Sequence, residues 1–201
     1  MSPATRSGTI EVIAGVMFSG KSEELIRRIR RALIARLRVQ VFKSHLDDRY
    51  GGVAVVSSHT GVQLEATPVD SSAEIYKAVR DNTELLAIDE AQFLDDGIIE
   101  VSTRLAERGV RVVLAGIDTD FRGLPFGKMG ELMAIAEEVT KLRAICVVCG
   151  DLACRTQRLI NGRPARFDSP LIMIGGCESY EARCRRCHRV PRHDDDQTRM
   201  L

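Results

Sequence analysis

The sequence predicts an α/β domain, a parallel sheet covered by helices on both faces, with a smaller metal-binding domain appended. Three observations carry this. Short, nearly all-apolar runs alternate with amphipathic stretches, the pattern of strands buried on both faces. A glycine, four residues, then Gly-Lys-Ser follows the first apolar run. Two Cys-X-X-Cys pairs lie towards the C-terminus, where the apolar runs give out.

Taken in order, TIEVIAG (9–15) reads as a buried strand. A helix follows the glycine loop, with Leu25, Ile29, Ala32, Leu33 and Leu37 at helical spacing. Arg27, Arg28, Arg30 and Arg31 mark its other face as solvated. RVQVFKSH (38–45) is a second strand, and residues 46–66, with Gly51, Gly52 and Gly61, read as a loop. A helix is expected over 71–80, with Ser71 or Ser72 as N-cap and Glu74 in its first turn. ELLAIDEAQ (84–92) is an apolar strand ending in acids, followed by a helix to about Arg108. VRVVLAGID (110–118) is another strand, a short helix follows near 130–136, and EVTKLRAIC (138–146) closes the core. Asn161-Gly162 between two strand-like runs signals a hairpin. The expected division is a core over 1–145, a metal-binding domain over 146–190 and a polar tail over 191–201.

Composition narrows the function. Hydrophobic residues make up 44% of the 201 positions, enough for a packed core. The net charge of +1, with 4% aromatics and no Trp, argues against nucleic acid as partner, which calls for a basic excess or stacking platforms. No apolar run reaches the ~18 residues of a membrane span. MSPATRSG lacks the apolar block of a secretory signal, so the expected compartment is the cytoplasm.

Gly15, Gly20, Lys21 and Ser22 sit between a strand and a helix, the setting of a phosphate-binding loop. Backbone N–H groups there cradle phosphates, Lys21 neutralises their charge and Ser22 binds Mg²⁺, which makes a nucleoside triphosphate the expected ligand. Asp89 ends a neighbouring strand and is the second group on the metal side. Glu90 beside it can orient a water for hydrolysis or take a proton from an alcohol, and its position does not separate the two.

Cys146, Cys149, Cys184 and Cys187 fit a four-thiolate structural zinc site closing a long excursion. His188 beside them is a possible substitute ligand, but the cysteine set is complete without it. Cys154 and Cys177 remain as ordinary thiols.

In order and sequence, GVMFSGKSEEL, IDEAQF, GIDTDFRGLPFG, RTQRL, IGGCESYEARCRRC and the CVVC pair resemble the zinc-containing, cytosolic type of thymidine kinase. The resemblance spans residues 9–190. It implies a RecA-like core, a zinc-bound domain with a lasso segment, and transfer of the ATP γ-phosphoryl to the 5′-hydroxyl of thymidine, with deoxyuridine as a second acceptor. Glu90 is then the base, and Ser19 joins the ATP-binding loop. Met17, Phe93, Phe121, Thr156, Leu171, Ile174 and Tyr180 match positions around the nucleoside. Phe121 by itself is equally readable as a core residue, and Arg158 matches a structural or site-organising position. A homotetramer and feedback by dTTP are further implications. Thr60 and Gly61 depart from family members that carry an acid and a base after His59, so no role passes to that loop. Arg49 is a basic residue that either approaches phosphates or is simply solvated. Two rival readings are a zinc-containing P-loop ATPase acting on nucleic acid, marked by DNA-stimulated hydrolysis, and a nucleotide-binding scaffold in which Glu90 is dispensable.

Overall fold

A computed structural model describes residues 8–44, 55–57, 63–171 and 178–192. The chain divides into two compact units. Among the described residues, the first takes in 8–14, 20–118 and 126–142, and the second takes in 15–19, 119–125, 143–171 and 178–192.

The first unit is built on β1 (Thr9–Gly15), α1 (Lys21–Ile34), β2 (Val39–Ser44), β3 (Val55–Ser57), β4 (Gln63–Glu65) and β5 (Thr67–Val69). It continues through α2 (Ser72–Ala78), β6 (Leu85–Asp89), α3 (Ile98–Glu107), β7 (Arg111–Ile117), α4 (Met129–Ile135) and β8 (Glu138–Leu142). Six strands form one sheet in the order β5-β2-β6-β7-β1-β8. The β2–β5, β2–β6 and β6–β7 pairs are parallel. Strand alternation sends Ile10, Val12, Leu86, Ile88, Val112 and Leu114 into one apolar cluster with Ile75 of α2, Ile98 and Leu105 of α3, and Leu132 of α4. Ile13, Leu85, Ala87, Val113 and Ala115 enter a second cluster with Leu25, Ile26, Ile29 and Ala32 of α1. This is the expected sheet covered on both faces. Among the described residues, no helix is long and apolar enough to cross a membrane.

Besides EVTKLRAIC, which breaks after Leu142 so that Ala144–Ile145 leaves the six-stranded sheet, local structure departs from the sequence reading in three places. The stretch 46–66 was expected as loop, yet its described part contains the antiparallel β3–β4 pair, whose Val56 is fully buried in the α1 cluster. β5 had no apolar signature because it carries Pro68, which a sheet accepts at an edge, and β5 is the edge strand. The third departure is Arg28, which is buried rather than solvated. Its guanidinium donates to Glu11 (2.5 Å), Glu24 (2.8 Å), Glu138 (3.0 Å) and Thr140 (2.7 Å). Arg28 falls on the same face as Leu25 and Ile29, and Glu11 shares the α1 side of β1 with Ile13, so the two charges meet inside. Arg111 adds a bidentate pair to Glu11 at 2.6 and 2.9 Å. Burial acts to raise the Glu11 pKa, but Arg111 and Arg28 outweigh it and hold the carboxyl below its ordinary value. Leu33 is half-exposed, and Leu37 lies beyond the end of α1 while still packing on the second cluster.

α2 begins as expected. Ser71 Oγ accepts from Glu74 N–H at 3.3 Å, and the Glu74 carboxylate accepts from Asp70 N–H at 2.9 Å.

In the second unit, β9 (Ala144–Ile145) and β10 (Leu152–Ala153) form an antiparallel pair. β11 (Arg155–Ile160) lies between β12 (Arg163–Pro164) and β13 (Glu178–Arg183), both antiparallel to it. The β11–β12 hairpin turns at Asn161 (φ 51°) and Gly162 (φ 74°), the two left-handed residues of a type I′ turn. Its buried cluster is small: Val16, Ala144, Cys146, Ala153, Ala182 and Cys184.

Candidate active site and metal centre

The glycine loop runs from Gly15 to Ser22, its first five residues belonging to the second unit and Gly20 onward to the first. Gly20 has φ 85°, and a Cβ there would meet only Glu23 Oε2 at an ordinary 3.7 Å, so conformation rather than space calls for glycine. It is the N-cap of α1 and makes no side-chain cap hydrogen bond, and a helix N-terminus favours an anion. Ser19 Oγ is buried with no hydrogen-bond partner among the described residues. A phosphate oxygen would satisfy it. These features fit a nucleotide phosphate.

In the first unit the acids predicted at the strand end face Lys21. Burial draws the Lys21 pKa down, while Glu90, Asp89 and Asp118 hold it up. Asp89 is buried, and burial together with the Glu90 charge pushes its carboxyl up to about 7 against the pull of Lys43 and Lys21. Two carboxylates beside a half-buried lysine form a site that a divalent cation would relax, because it makes the charged form of Asp89 favourable. Glu90 has φ 55°, left-handed for a residue with a Cβ. Its N–H donates to Asp89 Oδ1 at 3.1 Å, and its Oε2 accepts from Gln92 Nε2 at 2.6 Å. Ser22 is half-buried in the first turn of α1. Phe93 packs edge-on against Phe126, with ring centroids 5.4 Å apart.

In the second unit, Thr156 is buried, and its Oγ1 accepts from Met17 N–H at 3.1 Å. Phe121 is buried beneath two guanidinium groups, Arg158 at 5.3 Å and Arg122 at 5.4 Å from its centroid. Its carbonyl accepts from His188 Nε2 at 2.8 Å. That contact gives the histidine work other than metal ligation. Arg158 is fully buried and donates to the carbonyls of Pro170 (2.6 Å) and Leu171 (3.4 Å). Leu171 is exposed, and Tyr180, half-buried on β13, is registered opposite Arg158. Ile174, Cys177 and Arg49 lie outside the described residues; Cys154 is half-buried.

The sulfurs of Cys146, Cys149, Cys184 and Cys187 all lie within 4.8 Å of one another, with Cys149 and Cys184 at 3.7 Å. Four thiolates at ~2.3 Å from a tetrahedral zinc would stand ~3.8 Å apart, so the cluster fits the ion. Each pair sits on a tight turn: Gly150 N–H donates to Cys146 O at 2.9 Å and Cys187 N–H to Cys184 O at 3.1 Å. Burial opposes ionisation of Cys146, but the backbone donors around it prevail and lower its thiol to about 6.

A family model for thymidine kinase matches residues 8–188. The chain belongs to the thymidine kinase family. Of solved structures, the flagellar accessory protein FlaH from Methanocaldococcus jannaschii is similar with a TM-score of 0.50 and 14% identity, covering 75% of this chain and 77% of that one. At that identity the likeness concerns the fold alone. The Pif1 helicase from Candida albicans matches at a TM-score of 0.40 and 19% identity, over 72% of this chain and 38% of that one.

Several residues beside this kinase-family site escaped the sequence reading. Asp118 ends the apolar run of β7 at the sheet's carboxyl edge, where α/β folds gather ligand groups, and ion-pairs with Lys141 at 2.9 Å. Lys43 is registered opposite Asp89 in the parallel β2–β6 pair. An acid or base closing an apolar strand was the available signal for both. Gln92 had no such signal.

Proposed function

We propose that the protein is an ATP:thymidine 5′-phosphotransferase. The 5′-hydroxyl oxygen of thymidine attacks the γ-phosphorus of ATP, the bond from that phosphorus to the β-bridging oxygen breaks, and dTMP and ADP leave. Glu90 takes the hydroxyl proton, Lys21 neutralises phosphate charge, and Ser22 and Asp89 hold Mg²⁺. The single observation that carries this reading is the grouping of Lys21, Asp89 and Glu90 in a chain of the thymidine kinase family. Gly15, Ser19 and Gly20 serve the phosphates through backbone N–H groups and the Ser19 hydroxyl.

The family resemblance gives Phe93 of the first unit a nucleoside-contacting role, and likewise Met17, Phe121, Thr156, Leu171, Ile174 and Tyr180 of the second. Backbone groups would read the polar edge of the base, and apolar side chains would form a slot for its methyl. A mismatched base then leaves buried polar groups unpaired, a strong basis for selection. Deoxyuridine is a second expected acceptor. Zinc at the four cysteines, a homotetramer, dTTP feedback and a cytoplasmic location complete the proposal. So does the division into an ATP-binding core over 1–145, a zinc and substrate domain over 146–190 and a tail over 191–201.

The test is to incubate the protein with ATP, Mg²⁺ and each deoxynucleoside and to assay the monophosphate. Thymidine and deoxyuridine should turn over. Turnover of deoxycytidine or deoxyguanosine with none of thymidine would overturn the substrate. Glu90→Gln should lower kcat by about 100-fold or more; unchanged transfer would remove Glu90 as the base.

A further inference from the structure

We infer that Gln92 is the positioning residue for Glu90, its side-chain amide fixing one carboxylate oxygen so that the other is presented to the acceptor hydroxyl. The inference rests on the reading of Glu90 as the base. Gln92 is 3% exposed and lies in a single 3₁₀ turn, Ala91–Phe93. Its Nε2 donates to Glu90 Oε2 at 2.6 Å, and its Oε1 accepts from Ile117 N–H at 3.0 Å. The two ends of the amide are not interchangeable. The Ile117 N–H can only donate, so Oε1 must face it, and the NH₂ group is thereby aimed at Glu90. An ionised carboxylate, which only accepts, is the matching partner.

Packing leaves Gln92 no other place. A Cβ at Gly116 would come within 2.8 Å of Gln92 Oε1 and 2.6 Å of Met129 Sδ. A Cβ at Gly127 would lie 2.2 Å from the Gln92 carbonyl oxygen. Two glycines thus admit the residue, one at its side chain and one at its backbone. Glu90 is fixed along its backbone by the Phe93 N–H to Glu90 O bond at 3.1 Å and by its own N–H to Asp89. The direction of its carboxylate is set by Gln92. Among the described residues Lys21 and Asp89 face Glu90, and both stay in place in the variants below.

The test uses the full chain with Gln92→Glu, which keeps the shape, and Gln92→Asn, which is too short to reach. Initial rates are measured across pH, alone and in the Glu90→Gln background. In both variants kcat should fall about 10- to 100-fold while KM for ATP stays within about twofold. In Gln92→Glu the acid limb of the rate profile should move to higher pH, because two carboxylates then face each other. In the Glu90→Gln background neither substitution should change the residual rate. Folded variants with the wild-type kcat and pH profile overturn the positioning role alone, as does an equal loss in the Glu90→Gln background. Full activity of Glu90→Gln itself overturns the base and with it this inference. Should neither variant fold, the Gln92 side-chain NH₂ resonance of the wild-type protein decides. It should shift when Glu90 is replaced by Gln, because the carboxylate it donates to is then gone, and a resonance unmoved by Glu90→Gln overturns the inference.

Discussion

The two units are held together by different physics. The first has an apolar cluster on each face of a six-stranded sheet, large enough to enclose the Glu11–Arg28 ion pair, which the partly exposed Arg111 joins. In the second the buried cluster is mostly alanine and cysteine, with Val16 its largest aliphatic member. So small a core supplies little stabilisation by burial, and a metal centre is the usual remedy. A large core can carry costly polar groups inside it; a small one needs cross-links.

The sharpest way to break this contrast is to remove the zinc proposed at the four cysteines. Chelation, or Cys184→Ser, should withdraw a stabilisation on the order of 10 kcal/mol from the second unit. Limited proteolysis should then cut within residues 143–171 many times faster, while the far-UV signal of the helices persists. Equal protection with and without metal would show that the second unit stands on its own packing.

Next in size is Arg28→Met. It leaves Glu11 buried with only Arg111 beside it, and should destabilise the protein by about 3–5 kcal/mol in urea denaturation. The double variant Glu11→Leu/Arg28→Met should recover most of that loss, since an apolar pair suits the surrounding cluster. If the single variant costs nothing, the charge group is incidental to the first unit.

Asp89→Asn tests a smaller term. The carboxyl rises from 3.8 to about 7 on folding because burial and Glu90 disfavour its charge. Between those values the folded state binds more protons than the unfolded chain, so stability falls as pH rises through that window. The variant should exceed the wild type by ~1–3 kcal/mol at pH 8, with the gap closing towards pH 4. A gap that widens on acidification would reverse the sign. Smallest is Gly162→Ala: nothing lies near its Cβ position, so only the left-handed φ resists, at about 1 kcal/mol. A hairpin as stable with alanine would show that Asn161 alone sets the turn.

Much of this was open to sequence reading because the signals were local. β1, β6 and β7 are buried on both sides and therefore read as mainly apolar runs. The four cysteines were marked by spacing alone. Arg28 was misread because helix periodicity was applied to apolar residues only. Glu11, an acid inside an apolar strand, was the clue that something basic had to meet it. β3 and β4 are three residues each, too short for a period to register. Gln92 was invisible for another reason: its partner Ile117 is distant in sequence, and no local pattern announces a glutamine bridging a strand end to a carboxylate.

The left-handed backbone of Glu90 also bears on how this chain would respond to selection. A glutamate at φ 55° costs on the order of 1 kcal/mol that glycine or asparagine would not incur. A screen for heat resistance alone should therefore favour Glu90→Gly or Glu90→Asn, and each would remove the carboxylate on which the proposed reaction depends. Under the proposed reaction, heat tolerance and turnover pull in opposite directions at this position, and a stabilised library would hold residue 90 fixed.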